Sequence, residues 1–122
     1  MNVLPILYRC KQMALQPNFY EQIYQIVALI PKGRITTYGA IAKALGAARS
    51  SRMVGSALMA AHLPTLNLPI HRVVNRNGLL TGKHHYEHPT HMQDLLEKEG
   101  IEIKNDQVQD FGTVFWDPLA EI

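Results

Sequence analysis

Two short helical patterns joined by a glycine-containing turn constrain the fold of this chain more than any other feature. Thr37 can cap a helix over 38–45, and Gly46 stands where a left-handed residue commonly ends a helix. A second helix is predicted over 52–62. Two short helices with such a turn form the helix-turn-helix unit, which also occurs in proteins of other functions. The pattern predicts a mainly α fold with short β elements, built as a winged-helix-like helix-turn-helix domain.

A longer helix is predicted upstream of this unit. Asn18 can cap it, with Glu21 three residues later, and Pro31 stops it. Apolar residues recur along it at helical spacing and predict one buried stripe, which comprises Phe19, Ile23, Ile26, Val27 and Ile30.

The second half of the chain is rich in loops. Short strands are predicted over 72–74 and 79–81, on either side of an Asn77-Gly78 turn. A last helix is predicted from Thr90, with Gln93 as its capping partner, to Gly100. The aromatic tail over 111–118 is expected to pack back on the core.

The 122 residues are enough for one compact domain. We expect 1–16 to be a flexible N-terminal extension and 17–122 to be the domain. No run of 18 apolar residues and no signal-peptide pattern is present, so the sequence predicts a cytoplasmic protein without a membrane segment. Cys10 is the single cysteine, which excludes an internal disulfide and a multi-cysteine metal site.

The 52–62 helix is predicted to have two contrasting faces. With about 100° between residues, the core face carries Val54, Ala57, Leu58 and Ala61. The outward face carries one arginine followed by small or flexible residues, namely Arg52, Gly55, Ser56 and Met59. Small side chains permit a partner to approach the backbone closely, whereas an ordinary solvated helix that happens to be rich in small residues remains the alternative.

The charge balance of the chain decides little by itself. The formal net charge is +2 and the isoelectric point is about 8.8. A set of basic residues could neutralise phosphates near the helix-turn-helix unit, or could be scattered over a solvated surface: Arg34, Lys43, Arg49, Arg52, Arg72 and Lys83.

Four segments together resemble one protein family. IPKGRITTYGAIA (30–42) resembles IPxGxVxTYGxIA of the O6-alkylguanine-DNA alkyltransferases, and RMVGSAL (52–58) resembles their RxVGxAL helix. LPIHRVV (68–74) resembles their active-site IPCHRVV, and LLEKEG (95–100) resembles LLxxEG. The segments follow the family's order over about 19–100, which makes the combination specific and implies a DNA-binding domain.

One departure changes the function that the resemblance implies. Ile70 stands where the family has its alkyl-accepting cysteine. Alkyl transfer needs a thiolate, and a hydrocarbon side chain offers no lone pair. The chain thus resembles the alkyltransferase-like branch, which lacks this cysteine and usually has Trp or Ala there; the FWDP stretch over 115–118 is also typical of it. This implies a monomeric, cofactor-free, non-enzymatic sensor that binds O6-alkylguanine in duplex DNA and marks it for nucleotide excision repair proteins.

The resemblance also assigns roles to DNA-binding residues. Arg52 matches the finger that enters the base stack and holds the gap left by a flipped nucleotide. Tyr38 matches the tyrosine that presses on the phosphate 3′ of the target, although it also lies on the core stripe of its helix. The expected DNA-binding set is Thr37, Tyr38, Arg49, Arg52, Gly55, Ser56 and Met59.

A second set is expected at the lesion pocket. Lys83 falls near the cation that related sensors place against the alkylated base. His71 and Glu99 match the relay that activates the cysteine, and we expect them to persist here as hydrogen-bonded structure. The expected pocket residues are Tyr38, Ile70, His71, Arg72, Val73 and Lys83, and the loop over 78–83 is expected to form part of the lining.

Two other functions compete with the sensor. A helix-turn-helix transcription regulator would need several Asn, Gln or Arg side chains on its recognition face, where this chain has one arginine. A metal site could form from four clustered histidines, but Pro89 interrupts the cluster, and we expect a solvated loop without metal. The histidines are His84, His85, His88 and His91.

Overall fold

The computed structural model describes residues 18–61 and 67–122. The expected extension over 1–16 and the predicted helix end at His62 lie outside the described residues. Within the described ranges, helices dominate and strands are short, and no helix has the length and apolarity to cross a membrane. In chain order the elements are α1 (Phe19–Val27), β1 (Thr36–Thr37), α2 (Tyr38–Ala44), α3 (Ser51–Ala60), a 3-10 helix (Ile70–Arg72), β2 (Val73–Val74), a second 3-10 helix (Thr81–His85), α4 (His91–Lys98), β3 (Ile103–Lys104), β4 (Gln107–Val108), α5 (Phe111–Val114) and α6 (Pro118–Glu121).

Helix α1 begins as the sequence predicts. The Asn18 side chain accepts a hydrogen bond from the backbone N–H of Glu21 at 3.2 Å. The helix ends at Val27, and the chain then tightens through hydrogen bonds from Leu29 N–H to Ile26 and from Ile30 N–H to Val27 before it reaches Pro31. Ile30 is nevertheless buried with the rest of the stripe.

The helix-turn-helix unit is confirmed. Thr37 caps α2 by accepting a hydrogen bond from Ala40 N–H at 3.0 Å, and Gly46 follows with φ of +74°. The predicted core face of α3 is fully buried, comprising Val54, Ala57, Leu58 and Ala61. The hydroxyl of Tyr24 donates to the carbonyl of Ala57 at 2.8 Å, which ties α1 to α3.

The strand pairing differs from the prediction. Val73–Val74 pairs in parallel with Thr36–Thr37, not with 79–81. The Asn77-Gly78 turn does form, because the Asn75 side chain accepts hydrogen bonds from the backbone N–H of Asn77 and of Leu79. Leu79 then bridges to Gln107 in β4, so the turn joins two separate sheets instead of closing one hairpin.

The start of α4 also differs in detail. The Thr90 side chain makes no capping bond to the backbone, and Gln93 donates instead to Glu97 at 3.4 Å. The predicted capping pair is therefore wrong, whereas Gly100 ends the helix with φ of +88°, as expected. Met92 is buried on the inner face of α4.

Two apolar clusters form the core. The first lies among α1, α2 and α3 and includes Trp116, and the second lies beneath α4 and the β3–β4 hairpin. The tail packs back as predicted, since Ile35 N–H donates to Val114 and Trp116 N–H donates to Ile35. This arrangement connects the helix-turn-helix unit rigidly to the segment that carries Ile70.

Candidate nucleic-acid interface

An open pocket of about 430 Å³ lies between the outward side of α3 and the loop that precedes α4. Its floor and walls come from both halves of the chain, which is why local patterns could not outline it. The lining residues are Tyr38, Arg52, Gly55, Ser56, Leu58, Met59, Ile70, Val73, Thr81, Gly82, His85, Tyr86 and Met92.

Tyr38 belongs both to the core and to the pocket. Its ring packs against the first apolar cluster, and its hydroxyl lies 3.5 Å from the Thr81 hydroxyl at the pocket edge. Gly82 comes so close that a Cβ added there would lie 3.3 Å from the Tyr38 oxygen. The two sequence-based interpretations of Tyr38, a core position and a contact with DNA, are therefore compatible.

Arg52 stands at the pocket rim in the first turn of α3. Its side chain is exposed, and within 18–61 and 67–122 it makes no side-chain hydrogen bond or ion pair. One turn later, a Cβ added at Gly55 would meet nothing within 4 Å, and Met59 is 53% exposed. The outward face of α3 thus presents a cation that is unpaired among the described residues. Beside it, the surface at Gly55 is open.

Ile70 forms part of the opposite wall. It opens the first 3-10 helix, is half-buried, and packs against the first apolar cluster. Val73, which is almost fully buried, continues the wall into β2. The pocket therefore has aliphatic carbon at the position where the resemblance places sulfur.

His71 and Arg72 point away from the pocket, which corrects their expected place in its lining. His71 Nε2 lies 2.9 Å from Glu99 Oε2. Arg72 donates through two nitrogens to the same carboxylate, at 2.9 and 2.6 Å, and through a third to the carbonyl of Ile30 at 2.7 Å. Both side chains are largely buried against Glu99, so they anchor the segment that carries Ile70.

The protonation states follow from this geometry. Burial raises the pKa of Glu99, but the hydrogen bonds and charges of Arg72 and His71 outweigh burial and hold that pKa at about 2. Burial lowers the pKa of His71, which its bond to Glu99 only partly offsets. An ionised carboxylate can only accept, so the neutral His71 ring donates its Nε2 proton. This histidine is held as a structural donor.

The comparisons with known proteins agree with the site. The family model for the DNA-binding domain of 6-O-methylguanine DNA methyltransferase matches residues 18–101. Alkyltransferase-like protein 1 of Schizosaccharomyces pombe is 37% identical over 86 residues, covering 70% of this chain and 79% of that protein. This chain belongs to the alkyltransferase-like family.

Further relatives of this alkyltransferase-like chain extend the comparison. A DNA base-flipping protein of Escherichia coli is 44% identical over 72 residues, covering 58% of this chain and 54% of that protein. The crystal structure of S. pombe Atl1 in complex with damaged DNA containing O6-carboxymethylguanine matches with a TM-score of 0.73 and 32% identity, covering 81% of this chain and 94% of that one. The predicted fold class and family are thereby confirmed.

Lys83 is placed differently from the expectation. It does not line the pocket in this alkyltransferase-like chain, because its ammonium group is paired with the carboxylate of Asp106 in the β3–β4 turn. Thr37 also departs from its expected DNA contact: it is only 8% exposed, and its hydroxyl caps α2.

The predicted basic set divides into two groups. Three members are engaged with carboxylates, namely Arg34 with Glu121, Arg72 with Glu99 and Lys83 with Asp106. The others lie exposed on α2, on the turn and on α3, without an ion pair in the described part of the chain: Lys43, Arg49 and Arg52. Within this predicted set, the cations without an ion pair therefore all lie on the helix-turn-helix unit.

Thr81 and Gly82, which belong to the loop expected at the pocket, do line it, and Gly82 closely approaches Tyr38. Two further wall residues, His85 and Tyr86, were missed by the sequence analysis. The histidines of the metal alternative do not converge on one point: the rings of His88 and His91 stack at 4.8 Å. Within 18–61 and 67–122, no group of three or more potential ligands is arranged to hold a metal ion.

Proposed function

We propose that this protein is a non-enzymatic DNA-damage sensor that binds O6-alkylguanine in duplex DNA with the base flipped into the pocket of α3. One observation carries the proposal. An open pocket has at its rim an exposed arginine, Arg52, that is unpaired among the described residues, and it has an aliphatic wall at Ile70.

The geometry supports base flipping by Arg52. Its exposed guanidinium can fill the gap in the base stack. The lack of a side chain at Gly55 lets the duplex approach α3. Flipping costs a few kcal/mol and costs least for a base that pairs badly, which biases binding toward the lesion. We assign the Tyr38 hydroxyl, which lies at the pocket edge, to a contact with the backbone of the flipped nucleotide.

Ile70 supports binding without alkyl transfer. The family chemistry needs a thiolate beside the extruded base, and a sec-butyl side chain cannot act as a nucleophile. The single cysteine, Cys10, lies outside the described residues and outside the motif. His71, held as a donor to Glu99, has no thiol to deprotonate.

A protein that binds a lesion and leaves it in place marks the lesion for other proteins. We propose that nucleotide excision repair proteins recognise the bound complex and that the protein binds DNA as a monomer. That S. pombe Atl1 has been crystallised with damaged DNA supports the choice of ligand. The cytoplasmic location and the repair partners stay predictions.

The transcription-regulator alternative is not favoured. Base-edge readout in the major groove uses several bidentate side chains. The outward face of α3 offers Arg52 alone among such side chains, beside Gly55, Ser56 and Met59.

Binding and mass measurements on the same samples test the proposal. Fluorescence anisotropy should show tighter binding to a duplex with one O6-methylguanine than to the same duplex with guanine. Intact-mass spectrometry after incubation should show an unmodified protein. Equal affinity for the two duplexes would refute the sensor, and a protein carrying an added methyl group would refute the absence of transfer.

A further inference from the structure

One wall of the pocket is a single segment, residues 81–86, here called the pocket loop. Thr81, Gly82, His85 and Tyr86 face the pocket. Hydrogen bonds of its backbone are local: Lys83 N–H donates to Leu80, and Tyr86 N–H donates to Lys83, both at 3.3 Å. Such long, local bonds determine the shape of the loop but not its distance from α3. Contacts to other elements must determine that distance.

The pocket loop packs against α4 and β2 and meets Tyr38 at its edge, and the turn of the β3–β4 hairpin supplies two further contacts. Asn105 and Asp106 have φ values of 54° and 60°, so the turn is tight and projects toward the pocket loop. The carbonyl of Asp106 accepts from Leu80 N–H at 3.0 Å, immediately before the loop. The carboxylate of Asp106 pairs with Lys83 within the loop. One residue therefore holds the loop on both sides of Thr81 and Gly82.

We propose that Asp106 is a positioning residue for lesion recognition: its ion pair with Lys83 sets the pocket loop at the distance from α3 that a flipped base requires. The inference rests on the proposed function. Lys83 is 26% exposed and Asp106 is 47% exposed, so the pair is shielded from water on one side. Lys83 then contributes through the loop and not as a cation on the base.

The two roles for Lys83 make opposite predictions for Asp106→Asn. If Lys83 acts through the ion pair, releasing it loosens the pocket loop and weakens lesion binding. If Lys83 itself reaches the alkylated base, releasing it frees the cation and strengthens binding. Asparagine keeps the left-handed backbone and the Leu80 hydrogen bond, so the substitution changes only the carboxylate.

We expect Asp106→Asn to lower affinity for the O6-methylguanine duplex about two- to fivefold, the range of a partly exposed ion pair. Affinity for the unmodified duplex should not fall. The matched control is Asp110→Asn, since Asp110 is exposed, also has a positive φ of 51°, and makes no side-chain cap bond. This control removes the same negative charge, and any general gain in DNA affinity from it can be subtracted.

A double-mutant cycle completes the test. Lys83→Gln should lower the affinity for the O6-methylguanine duplex as much as Asp106→Asn does, and the double variant should lower it no more than either single variant. Lys83→Arg should keep the affinity. In urea unfolding, Asp106→Asn should be less stable than Asp110→Asn by no more than the loss of one partly exposed ion pair, so both variants stay folded in the binding assay. Unchanged or increased lesion affinity in Asp106→Asn, relative to the Asp110→Asn control, would overturn the inference while leaving the sensor intact. Absence of lesion preference in the wild type would instead refute the proposed function.

Discussion

Arg52 and Arg72 carry the same charge, but their surroundings differ. Arg72 is bound to Glu99 and to the carbonyl of Ile30, and its guanidinium is largely buried. Arg52 is exposed and has no ion pair in the described part of the chain. At the residue scale, an arginine whose donors are already satisfied stabilises the fold, and one whose donors are free is available to DNA.

Arg52→Ala is expected to weaken lesion binding by about 2 kcal/mol, or roughly 30-fold, because it removes a desolvated stacking contact. The unfolding free energy should not change, since the side chain has no partner to lose. Titration of both duplexes by fluorescence anisotropy measures the effect, and an unaltered lesion affinity would contradict the finger role.

Arg49→Ala is the matched control for Arg52. Arg49 is exposed on the turn before α3, and we assign it to a phosphate. Its loss should weaken lesion and unmodified duplexes equally and should reduce the slope of log affinity against log salt by about 0.9.

At the scale of the element, α3 serves two purposes with its two faces. The buried face, with Val54 and Ala57, fixes the helix on α1 and α2. The outward face has a glycine in mid-helix, which weakens a helix relative to a larger residue. Gly55 has open space around its Cα, so packing among the described residues does not explain it. We propose that the close approach of a partner does.

Gly55→Leu should therefore separate stability from binding. We expect the free energy of unfolding to rise by about 0.5–1 kcal/mol, because leucine has the higher helix propensity. Affinity for DNA should fall because the side chain occupies the approach path. Urea unfolding and duplex titration measure the two effects.

Gly112→Leu provides the comparison for Gly55. Gly112 is also a helical glycine with nothing within 4 Å of an added Cβ, but it lies in α5, away from the pocket lining. DNA affinity should be unchanged in this variant. A loss of DNA affinity in both Gly55→Leu and Gly112→Leu would point to a general effect of a larger side chain.

At the scale of the whole molecule, the Glu99 carboxylate joins distant parts of the chain. It accepts hydrogen bonds from Gly33 N–H, at 3.4 Å, and from His71 and Arg72. It thereby binds the end of α4 to the segment after α1 and to the 3-10 helix that carries Ile70. The carboxylate is only 10% exposed, so water cannot replace these partners readily.

Stability should fall on acidification in two stages. Burial lowers the pKa of His71 in the folded chain. As pH falls below 6.5, the unfolded chain therefore protonates this histidine before the folded chain does, and the free energy of unfolding declines. The pKa of Glu99 drops from 4.5 in the unfolded chain to about 2, so a further loss of about 3 kcal/mol is expected between those values.

Urea unfolding between pH 8 and pH 2 measures both stages. Glu99→Gln should be less stable than the wild type at pH 7 and should lack the stage below pH 4.5. A wild-type profile that is flat between pH 4.5 and about pH 2 would contradict the assigned role of the carboxylate.

Several features followed from the sequence because they are local. The capping residues Asn18 and Thr37, the stop at Gly46 and the two faces of α3 depend on backbone geometry within a few residues. Local energetics suffices for such features. The prediction that Ile70 stands at the position of the family's cysteine likewise came from the sequence blocks alone.

Only the tertiary structure decided the features that join distant residues. Which arginine is free, which strand β2 pairs with, and where the pocket loop stands all depend on contacts between residues far apart in sequence, such as Arg72 with Glu99 and Lys83 with Asp106. A charge pattern shows how many cations exist, but a carboxylate brought near by folding determines which remain available to bind phosphate.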